Sequence, residues 1–305
     1  MRKRAFCALL ALALLLSLAL PAFAEGQPPL KTVSDPEGFP PMPIYMDGLL
    51  RLRGYRLLEG SYIPLGALCE CLGIRLDWSA DDQSLHVKLG ELPVEGQAEQ
   101  PWLEADGRYI WAPEYWFVYD GELYMPQWPV CKLLNLSGEE WGASLRLDTS
   151  KLSILKGGKD YYELNFPTGD LYWLSHIIAS EAGIEPMEGK IGVGNVVLNR
   201  VADPEFPDTV FGVVFDHEHT IQFEPVSKGT IHEDPKPEDT IAACMVLEGA
   251  DTAGNCIYFV NPDFGSFWFD NNLDFVKKLG RHNFYVSKGT QYAGTSFGTA
   301  PAPGA

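Results

Sequence analysis

The sequence is short of positive charge. It has 23 lysine and arginine residues against 41 aspartate and glutamate residues, which gives a formal net charge of −18. Nucleic-acid-binding domains usually carry a basic patch, so this balance argues against a nucleic-acid partner. It also argues against electrostatic attraction to anionic lipids or wall polymers, because like charges repel. Any such partner would therefore be bound through shape, stacking and hydrogen bonds.

Cysteine is sparse, and its spacing is not that of a disulfide framework. The chain has 6 cysteines, and those beyond residue 24 are odd in number. Cys69 and Cys71 are two positions apart, so a helix would direct them to different sides. We expect mostly small buried hydrophobic side chains here, with a Cys244–Cys256 bond as an alternative for that pair.

The signatures of metal enzymes and serine hydrolases are missing. No HExxH sequence is present, and the histidine-rich segments are residues 217–219 (HEH) and 232–234 (HED). The one G-x-S-x-G sequence, residues 294–298 (GTSFG), lies in the Gly- and Ser-rich tail and not between a strand pattern and a helix pattern, so it does not indicate the elbow of a serine nucleophile. We therefore expect no metal and no organic cofactor, although a metal-dependent amidase remains an alternative.

The N-terminus has the one long apolar run. Basic residues 2–4 precede an apolar stretch at 8–20, and Ala22 and Ala24 form an A-x-A cleavage site. This pattern predicts a signal peptide at residues 1–24 and a secreted or cell-wall-associated protein without stable membrane insertion after cleavage. The run is shorter than the roughly 20 residues that a membrane-spanning helix needs, and an uncleaved anchor is the alternative.

The rest of the chain is long enough for two domains. Residues 25–42, rich in Pro and Gly, and residues 159–169 have the composition of linkers. Residues 43–158 show short apolar strands and two short helical stretches, which predicts an α+β domain. Residues 170–286 are expected to form a second domain, and residues 287–305 predict a disordered tail. The expected fold class is therefore α+β.

An internal repeat is visible in the first domain. Four residues recur at a constant offset of 62 positions: Tyr62, Pro64, Cys69 and Leu72 match Tyr124, Pro126, Cys131 and Leu134. Each unit predicts a strand, a short helix and a closing strand. The alternating segments Ser84–Leu89 and Leu152–Leu155 are the expected closing strands.

This repeat resembles the small domain at the N-terminus of copper amine oxidases, which recurs as a stalk module in exported bacterial proteins. The resemblance covers about residues 43–157 and starts each unit with Tyr, Ile or Met, and Pro. It does not imply copper, since His86 is the one histidine of the region. A stalk would either attach the protein to the wall or act as a spacer that binds nothing.

The segment that begins at Leu171 predicts an amphipathic helix with a carboxylate in its apolar face. At about 100° per residue, Glu181 falls in the middle of the stripe formed by Leu174, Ile177 and Ile178. Burial disfavours a charged carboxylate and raises its pKa toward neutrality, as a general acid requires. The alternative is a Glu that turns to solvent or pairs with Arg200.

The motifs around this helix carry a second resemblance. The segments are SEAGIEPMEGKIGVGNVVLNRV from Ser180, FPDTVFGVV from Phe206, IQFEPVSKG from Ile221, YFVNP from Tyr258 and GRHNFY from Gly280. In this order they resemble the SleB/CwlJ family of cell wall hydrolases, known from spore-cortex lysis during germination. The resemblance covers about residues 170–286.

The resemblance implies a mainly α, lysozyme-like fold for the second domain and a lytic transglycosylase activity on peptidoglycan, with Glu181 as the catalytic residue. Gln222, Asn261 and His282 match family motifs and are candidates to hydrogen-bond the sugar, with a hydrogen bond that fixes a loop as the alternative for each. Phe223 and Tyr258 are candidates for the cleft wall, with core packing as the alternative, and Glu224 is a further candidate contact. The sequence departs from the family pattern at Glu224, where a small polar residue is common. A cleft-facing Glu224 would make a hydrolytic, muramidase-type outcome an alternative. An amidase that acts on the stem peptide and a non-catalytic wall-binding protein are further candidates. The target could be spore cortex or vegetative wall.

Overall fold

The computed structural model describes residues 40–57, 60–158, 169–216 and 223–294. The strands are β1 (Pro41–Met46), β2 (Leu49–Arg56), β3 (Ser61–Pro64), β4 (Leu76–Ala80), β5 (Ser84–Leu89), β6 (Leu92–Gln97), β7 (Trp102–Ala105), β8 (Arg108–Trp111), β9 (Phe117–Tyr119), β10 (Glu122–Pro126), β11 (Ser137–Trp141), β12 (Ser144–Asp148), β13 (Tyr258–Val260), β14 (Leu273–Leu279) and β15 (His282–Ser287). The α-helices are α1 (Leu65–Leu72), α2 (Gln127–Leu134), α3 (Asp170–Ala182), α4 (Met187–Ala202), α5 (Val210–Val214), α6 (Glu224–Lys228), α7 (Pro237–Leu247) and α8 (Phe267–Asn272). This mixture agrees with the expected α+β class.

The N-terminal region, residues 40–158, contains two sheets. Seven strands form the first in the order β11-β12-β1-β2-β3-β10-β9, and β4 to β8 form a five-stranded meander in sequence order. Helices α1 and α2 pack against the strands, and both sheets contribute to one hydrophobic core. Alternate residues of β5 and β6 are buried, as expected for strands with one face on the core.

The two repeat units meet through their first strands. β3 and β10 are antiparallel, with Ile63 opposite Met125 and Tyr62 opposite Pro126. Ile63 and Met125 are equivalent positions of the repeat and lie directly opposite each other, so the two strands are related by an approximate local twofold rotation. Both helices also end in a left-handed residue, Gly73 at φ 67° and Asn135 at φ 50°. Gly and Asn tolerate this conformation best, so the repeat extends to the helix caps.

One of the expected closing strands is wrong. Ser84–Leu89 is β5 as predicted, but Leu152–Leu155 is not a strand. The strand in that role is β12, which pairs with β11 and, in parallel, with β1. The backbone N–H of Leu155 instead donates to the carbonyl of Leu133 in α2, and the side chains of Ile154 and Leu155 pack against the hydrophobic core.

The C-terminal region, residues 169–294, is built on three packed helices, α3, α4 and α7. The sheet β13-β15-β14 closes one side of the helices. Close packing requires the α4 glycines: a Cβ on Gly194 would lie 2.8 Å from Val246 of α7, and one on Gly192 would lie 2.9 Å from Phe284 of β15. Gly194 therefore allows helix α7 to approach α4 closely, and Gly192 allows the strand β15 to do so. No helix of the described residues has the length and apolarity to cross a bilayer.

The two regions are joined by a buried contact. Trp111 of β8 belongs to the hydrophobic core of the C-terminal region and is 5% exposed. Beside it, Glu248 accepts from Nε and Nη2 of Arg108 at 2.5 Å each, and its carboxylate lies 2.8 Å from Nζ of Lys132. The N-terminal region therefore packs directly against the C-terminal one. The described cysteines form no disulfide with one another, so the alternative Cys244–Cys256 bond is not formed.

Replacing Glu248 with alanine should lower the free energy of unfolding by about 3–5 kcal/mol, because two cations lose their shared buried partner. Urea denaturation of the whole chain measures the change. The matched control is Glu91→Ala, which removes the exposed partner of Lys88 and should cost less than about 1 kcal/mol. Equal costs for the two variants would show that the Arg108–Glu248–Lys132 contact does not stabilise the protein.

Candidate active site

A cavity of about 1330 Å³ opens in the C-terminal region. It lies where the C-terminal end of α3 faces β13, the start of α6 and the segment around α8. Its walls hold five carboxylates and two guanidinium groups, those of Glu181, Glu185, Glu205, Glu224, Asp263, Arg200 and Arg281. Aromatic side chains form much of the remainder, namely Phe206, Phe223, Tyr258, Phe259, Phe264, Trp268 and Phe269. This combination suits a ligand with both polar edges and apolar faces.

Helix α3 brings Glu181 into this cavity. Leu174, Ile177 and Ile178 are fully buried on the core face, as the helical periodicity predicts. Glu181 lies on the same side one turn later, where the core ends and the cavity begins. The helix stops at Ala182, and Gly183 follows it. The carboxyl group is therefore at the end of a rigid element and faces a space large enough for a sugar.

The surroundings of Glu181 raise its pKa to about 7. Burial is the largest cause, since it penalises the charged form. The negative charge of Glu224 raises the pKa further, whereas the positive charges of Arg200 and Lys228 oppose the shift. A carboxyl group with this pKa is largely protonated in mildly acidic solution and can still give up its proton near neutrality. These are the properties of a general acid that later acts as a base.

A buried lysine holds the end of α3, and sequence reasoning missed it. Nζ of Lys190, on α4, donates to the carbonyl oxygens of Ala182 at 3.1 Å and Gly183 at 3.0 Å. The same nitrogen lies 2.5 Å from Oδ1 of Asp239 on α7. Three helices are thus tied together directly behind Glu181. The signal was available, because Lys190 is the lone cation in an otherwise apolar and glycine-rich part of α4.

Arg200 lies in the cavity wall between aromatic rings. Its Nε donates to the carbonyl of Ile257 at 2.8 Å. Its Cζ lies 5.1 Å from the ring centre of Phe206, 5.3 Å from that of Phe223 and 5.4 Å from that of Tyr258. Burial lowers the pKa of Arg200 to about 10, so it is still charged at neutral pH. No ion pair between Arg200 and Glu181 is present in the described part of the chain, contrary to the alternative in which the two form a surface salt bridge.

Glu224 also lines the cavity, where it begins α6. Its side chain is 72% exposed and lies 2.6 Å from Nζ of Lys228, one helical turn later. Pro225 follows it in the first turn, a position where the missing N–H of proline costs nothing. Glu224 thus differs from Glu181 in being solvated and paired, so the two carboxylates have different environments.

The other predicted contacts are brought to the same cavity, with one outside the described residues. Phe223, Tyr258, Asn261 and His282 all line the wall, although Phe223 is also a core residue at 2% exposure. Gln222 lies outside the described residues. The oxygen of the Asn261 side chain accepts from the backbone N–H of Asp263, so it also fixes a turn.

His282 is buried against Glu185. Its Nδ1 lies 4.0 Å from Oε1 of Glu185 and has no hydrogen-bond partner in the described ranges. Burial lowers the pKa of His282, and the charge of Glu185 opposes that shift. Residues 217–219, which hold two further histidines, lie outside the described residues. Within the described part of the chain, no group of three or more His, Cys, Asp or Glu side chains is arranged to hold a metal ion.

Residues 184–285 match the family model for Cell Wall Hydrolase. The C-terminal region of this chain belongs to the cell wall hydrolase family. The matched span holds most of the cavity wall, including Arg200, Glu224, Tyr258 and His282. The match begins three residues after Glu181 and so does not include it. A role for Glu181 must therefore be argued from its position in the structure.

Curated relatives of the hydrolase region are spore cortex-lytic enzymes. That of Oceanobacillus iheyensis is 33% identical over 125 residues, which are 40% of this chain and 44% of the relative. That of Bacillus subtilis strain 168 is 30% identical over 119 residues, or 39% of this chain and 38% of the relative. The chain therefore spans less than half the length of either relative.

A solved structure, the catalytic domain of the germination-specific lytic transglycosylase SleB from Bacillus anthracis, is 30% identical. The match covers 40% of this chain and 98% of that one, with a TM-score of 0.36. The resemblance of residues 43–157 to a copper amine oxidase stalk is outside the family match and stays a prediction, as does a lysozyme-like fold.

Proposed function

We propose that this chain cleaves the glycan strands of peptidoglycan between N-acetylmuramic acid and N-acetylglucosamine, with Glu181 as its single acid and base. The observation that carries the proposal is the position of Glu181: a carboxyl group on a rigid helix end, inside a large cavity, with a pKa of about 7. Membership of the cell wall hydrolase family and the names of the relatives support the substrate.

A lytic transglycosylase needs one carboxyl group. Protonated Glu181 donates its proton to the oxygen between the two sugars as the bond from that oxygen to C1 of N-acetylmuramic acid breaks. The resulting carboxylate then takes the proton from the C6 hydroxyl of the same sugar, and O6 bonds to C1. The product is a 1,6-anhydro ring, Glu181 is protonated again and no water is consumed.

Hydrolysis is the second candidate, and Glu224 favours it. Glycosidases that use water generally employ two carboxyl groups, and Glu224 lines the cavity in a solvated setting beside Lys228. The proposed single-carboxyl mechanism instead gives Glu224 an electrostatic role, since its charge raises the pKa of Glu181. Transglycosylation leaves a 1,6-anhydro end on the cleaved glycan, whereas hydrolysis leaves a reducing end.

Export is part of the proposal. Residues 1–24 have the pattern of a signal peptide and lie outside the described residues, and peptidoglycan is found outside the cytoplasmic membrane. We propose that the protein is secreted or associated with the wall and that peptidoglycan is its partner. Removal of residues 1–24 during expression in a bacterial host, read by N-terminal sequencing, tests this.

Digestion of purified peptidoglycan, followed by mass spectrometry of the soluble products, tests the activity. We expect muropeptides that end in 1,6-anhydro-N-acetylmuramic acid. Reducing ends would establish a hydrolase, and free stem peptides an amidase. Release of no product from either cortex or vegetative peptidoglycan would overturn the proposal in favour of a non-catalytic wall-binding protein.

Activity should fall as the pH rises through about 7, because the proton that Glu181 donates is lost there. In Glu224→Gln the falling limb should move to lower pH, since a negative charge that raises the pKa of Glu181 is gone. Initial rates from pH 4 to 9 measure the falling limb of wild type and that of Glu224→Gln. The matched control is Glu233→Gln, which removes one exposed carboxylate that does not line the cavity and should leave the limb in place. A limb that does not move in Glu224→Gln would contradict the coupling.

A further inference from the structure

We propose that Phe264 and Trp268, two exposed rings at the mouth of the cavity, form an aromatic platform on which the glycan strand stacks beyond the sugars at the cleaved bond. The inference rests on the proposed function and adds a second binding subsite. The platform takes the apolar faces of neutral N-acetylated sugars where the strand leaves the cavity.

The two rings are open to solvent although they line the cavity. Phe264 is 89% exposed and Trp268 is 58% exposed. Large apolar side chains that are exposed together beside a polar cavity mark a binding surface, because a ligand that covers them removes apolar area from water. Glu181, by contrast, is partly buried at the end of α3. The platform therefore lies at the mouth of the cavity, on the solvent side of the catalytic carboxyl group.

Helix α8, which carries Trp268, is fastened to the sheet behind it. Oδ1 of Asp270 accepts a hydrogen bond from the hydroxyl of Tyr285 on β15 at 2.8 Å, and its Oδ2 accepts one from the hydroxyl of Ser266 at 2.7 Å. The ring of Phe269 also packs on Tyr285, with the ring centres 5.7 Å apart. These contacts hold the helix in place and leave the indole of Trp268 in solvent.

A hydrogen-bonded turn before α8 fixes Phe264. The side-chain oxygen of Asn261 accepts from the backbone N–H of Asp263 at 3.0 Å, and the carbonyl of Asn261 accepts from the N–H of Phe264 at 3.1 Å. Gly265 follows at φ 105°, a conformation that favours glycine. Because the turn is already closed, a ligand that stacks on Phe264 does not have to order a loose loop.

The charges around the platform favour a sugar over a lipid surface. Residues 262–272 contain two charged side chains, Asp263 and Asp270, and both are acidic. Membrane-binding segments usually combine apolar side chains with Lys and Arg. Lys288 lies nearby, but its Nζ donates to the carbonyl of Asn271 at 3.0 Å. A pyranose ring has C–H groups on its faces and hydroxyls on its edges, so an aromatic ring can cover a face while the edges stay in water.

The platform gives the enzyme a reason to prefer long strands. A glycan strand is a polymer, so the sugars beyond the cleaved bond must leave the cavity. Where the strand passes the platform, each ring can cover one sugar face, and the added contact strengthens binding without touching the reacting bond. Short strands end before they reach the platform and lose this contribution.

The test measures cleavage as a function of strand length. Glycan strands freed of their stem peptides are separated by length, and kcat/KM is measured on long strands and on the shortest strand that wild type cleaves. The ratio of the two values does not depend on the fraction of folded enzyme. We expect wild type to favour long strands. Trp268→Ala and Phe264→Ala should each lower the ratio by about three- to tenfold, because a stacked ring is lost.

Matched variants separate stacking from general apolar contact. Trp268→Phe should keep most of the wild-type ratio because a flat ring remains, whereas Trp268→Leu should lower the ratio as Trp268→Ala does. Phe267→Ala removes a ring of the same helix that is 84% exposed but does not line the cavity. This variant should leave the ratio at the wild-type value.

An unchanged ratio in either Trp268→Ala or Phe264→Ala would overturn the inference while the proposed function stands. An equal fall in Phe267→Ala would also overturn it, because any exposed apolar side chain of α8 would then serve, as in docking to a membrane or to a second copy. If wild type cleaves no strand, the proposed function fails. Calorimetry of long strands with the uncleaving protein then decides the inference, which requires weaker binding by Trp268→Ala than by Phe267→Ala.

Discussion

Glu181→Gln should abolish glycan-strand cleavage and leave the protein folded. Glutamine has the shape of glutamic acid but cannot donate a proton and then take one back. General acid–base groups typically contribute about 10²- to 10⁴-fold to a rate, so a loss of at least this size is expected. Release of soluble muropeptides measures activity, and circular dichroism checks the fold. The comparison variant is Glu224→Gln, which should keep most of its activity at pH 5 if Glu181 is the single acid and base. Undiminished cleavage by Glu181→Gln would remove the mechanism.

Glu181→Gln should also be more stable than wild type in alkaline solution. In the folded protein the pKa of Glu181 is raised from 4.5 to about 7. A carboxyl group with a raised pKa favours folding fully below pH 4.5, and this contribution is lost as the pH rises through about 7. Glutamine does not ionise, so at pH 8 its advantage should be on the order of 1–3 kcal/mol. Urea denaturation of both proteins at pH 5 and pH 8 measures this difference in the free energy of unfolding. A difference that is the same at both pH values would contradict the buried position of the Glu181 carboxyl group.

Lys190→Met should be the most destabilising single change near the site. It leaves the carboxylate of Asp239, which is 1% exposed, without its cation, and it leaves the carbonyls of Ala182 and Gly183 without their donor. Breaking a buried pair in this way costs about 3–5 kcal/mol. Urea denaturation measures the loss. Because the last turn of α3 would no longer be held, the rate of cleavage per folded molecule should fall as well.

A double variant separates the buried charge from the support of α3. Lys190→Met with Asp239→Leu removes both charges and should recover part of the stability, since no uncompensated carboxylate stays buried. Cleavage should remain reduced, because the end of α3 still lacks its donor. The control is Lys228→Met, an exposed cation 59% accessible to solvent, which should cost less than about 1 kcal/mol. Full stability in Lys190→Met would contradict this role.

Much of the local architecture could be predicted from the residues. The 62-residue repeat indicated two strand–helix units, and the structure pairs them through Ile63 and Met125. The helical periodicity after Leu171 placed Glu181 on the apolar side of α3 and so indicated its raised pKa. These features depend on side-chain spacing along one element, which the sequence states directly. The order of motifs after Ser180 likewise indicated the cell wall hydrolase family.

Tertiary structure decided which distant residues meet. The sequence contains no signal that Glu248 would bind Arg108, which is 140 positions away. It marks Lys190 as a lone cation but does not show that its Nζ would reach the carbonyls of Ala182 and Gly183 at the end of α3. Its alternation also predicted a strand at residues 152–155, where the backbone instead donates to the carbonyls of Leu133 and Leu134 at the end of α2. The periodicity of a segment can be read from its own residues, but its contact partners cannot. Hydrogen bonds, ion pairs and cavity walls form between segments that are distant in sequence, so the tertiary structure decides them. The chemistry at Glu181 could therefore be predicted from the sequence. The contacts of Lys190 behind it and the exposed rings of Phe264 and Trp268 at the mouth of the same cavity could be found only in the tertiary structure.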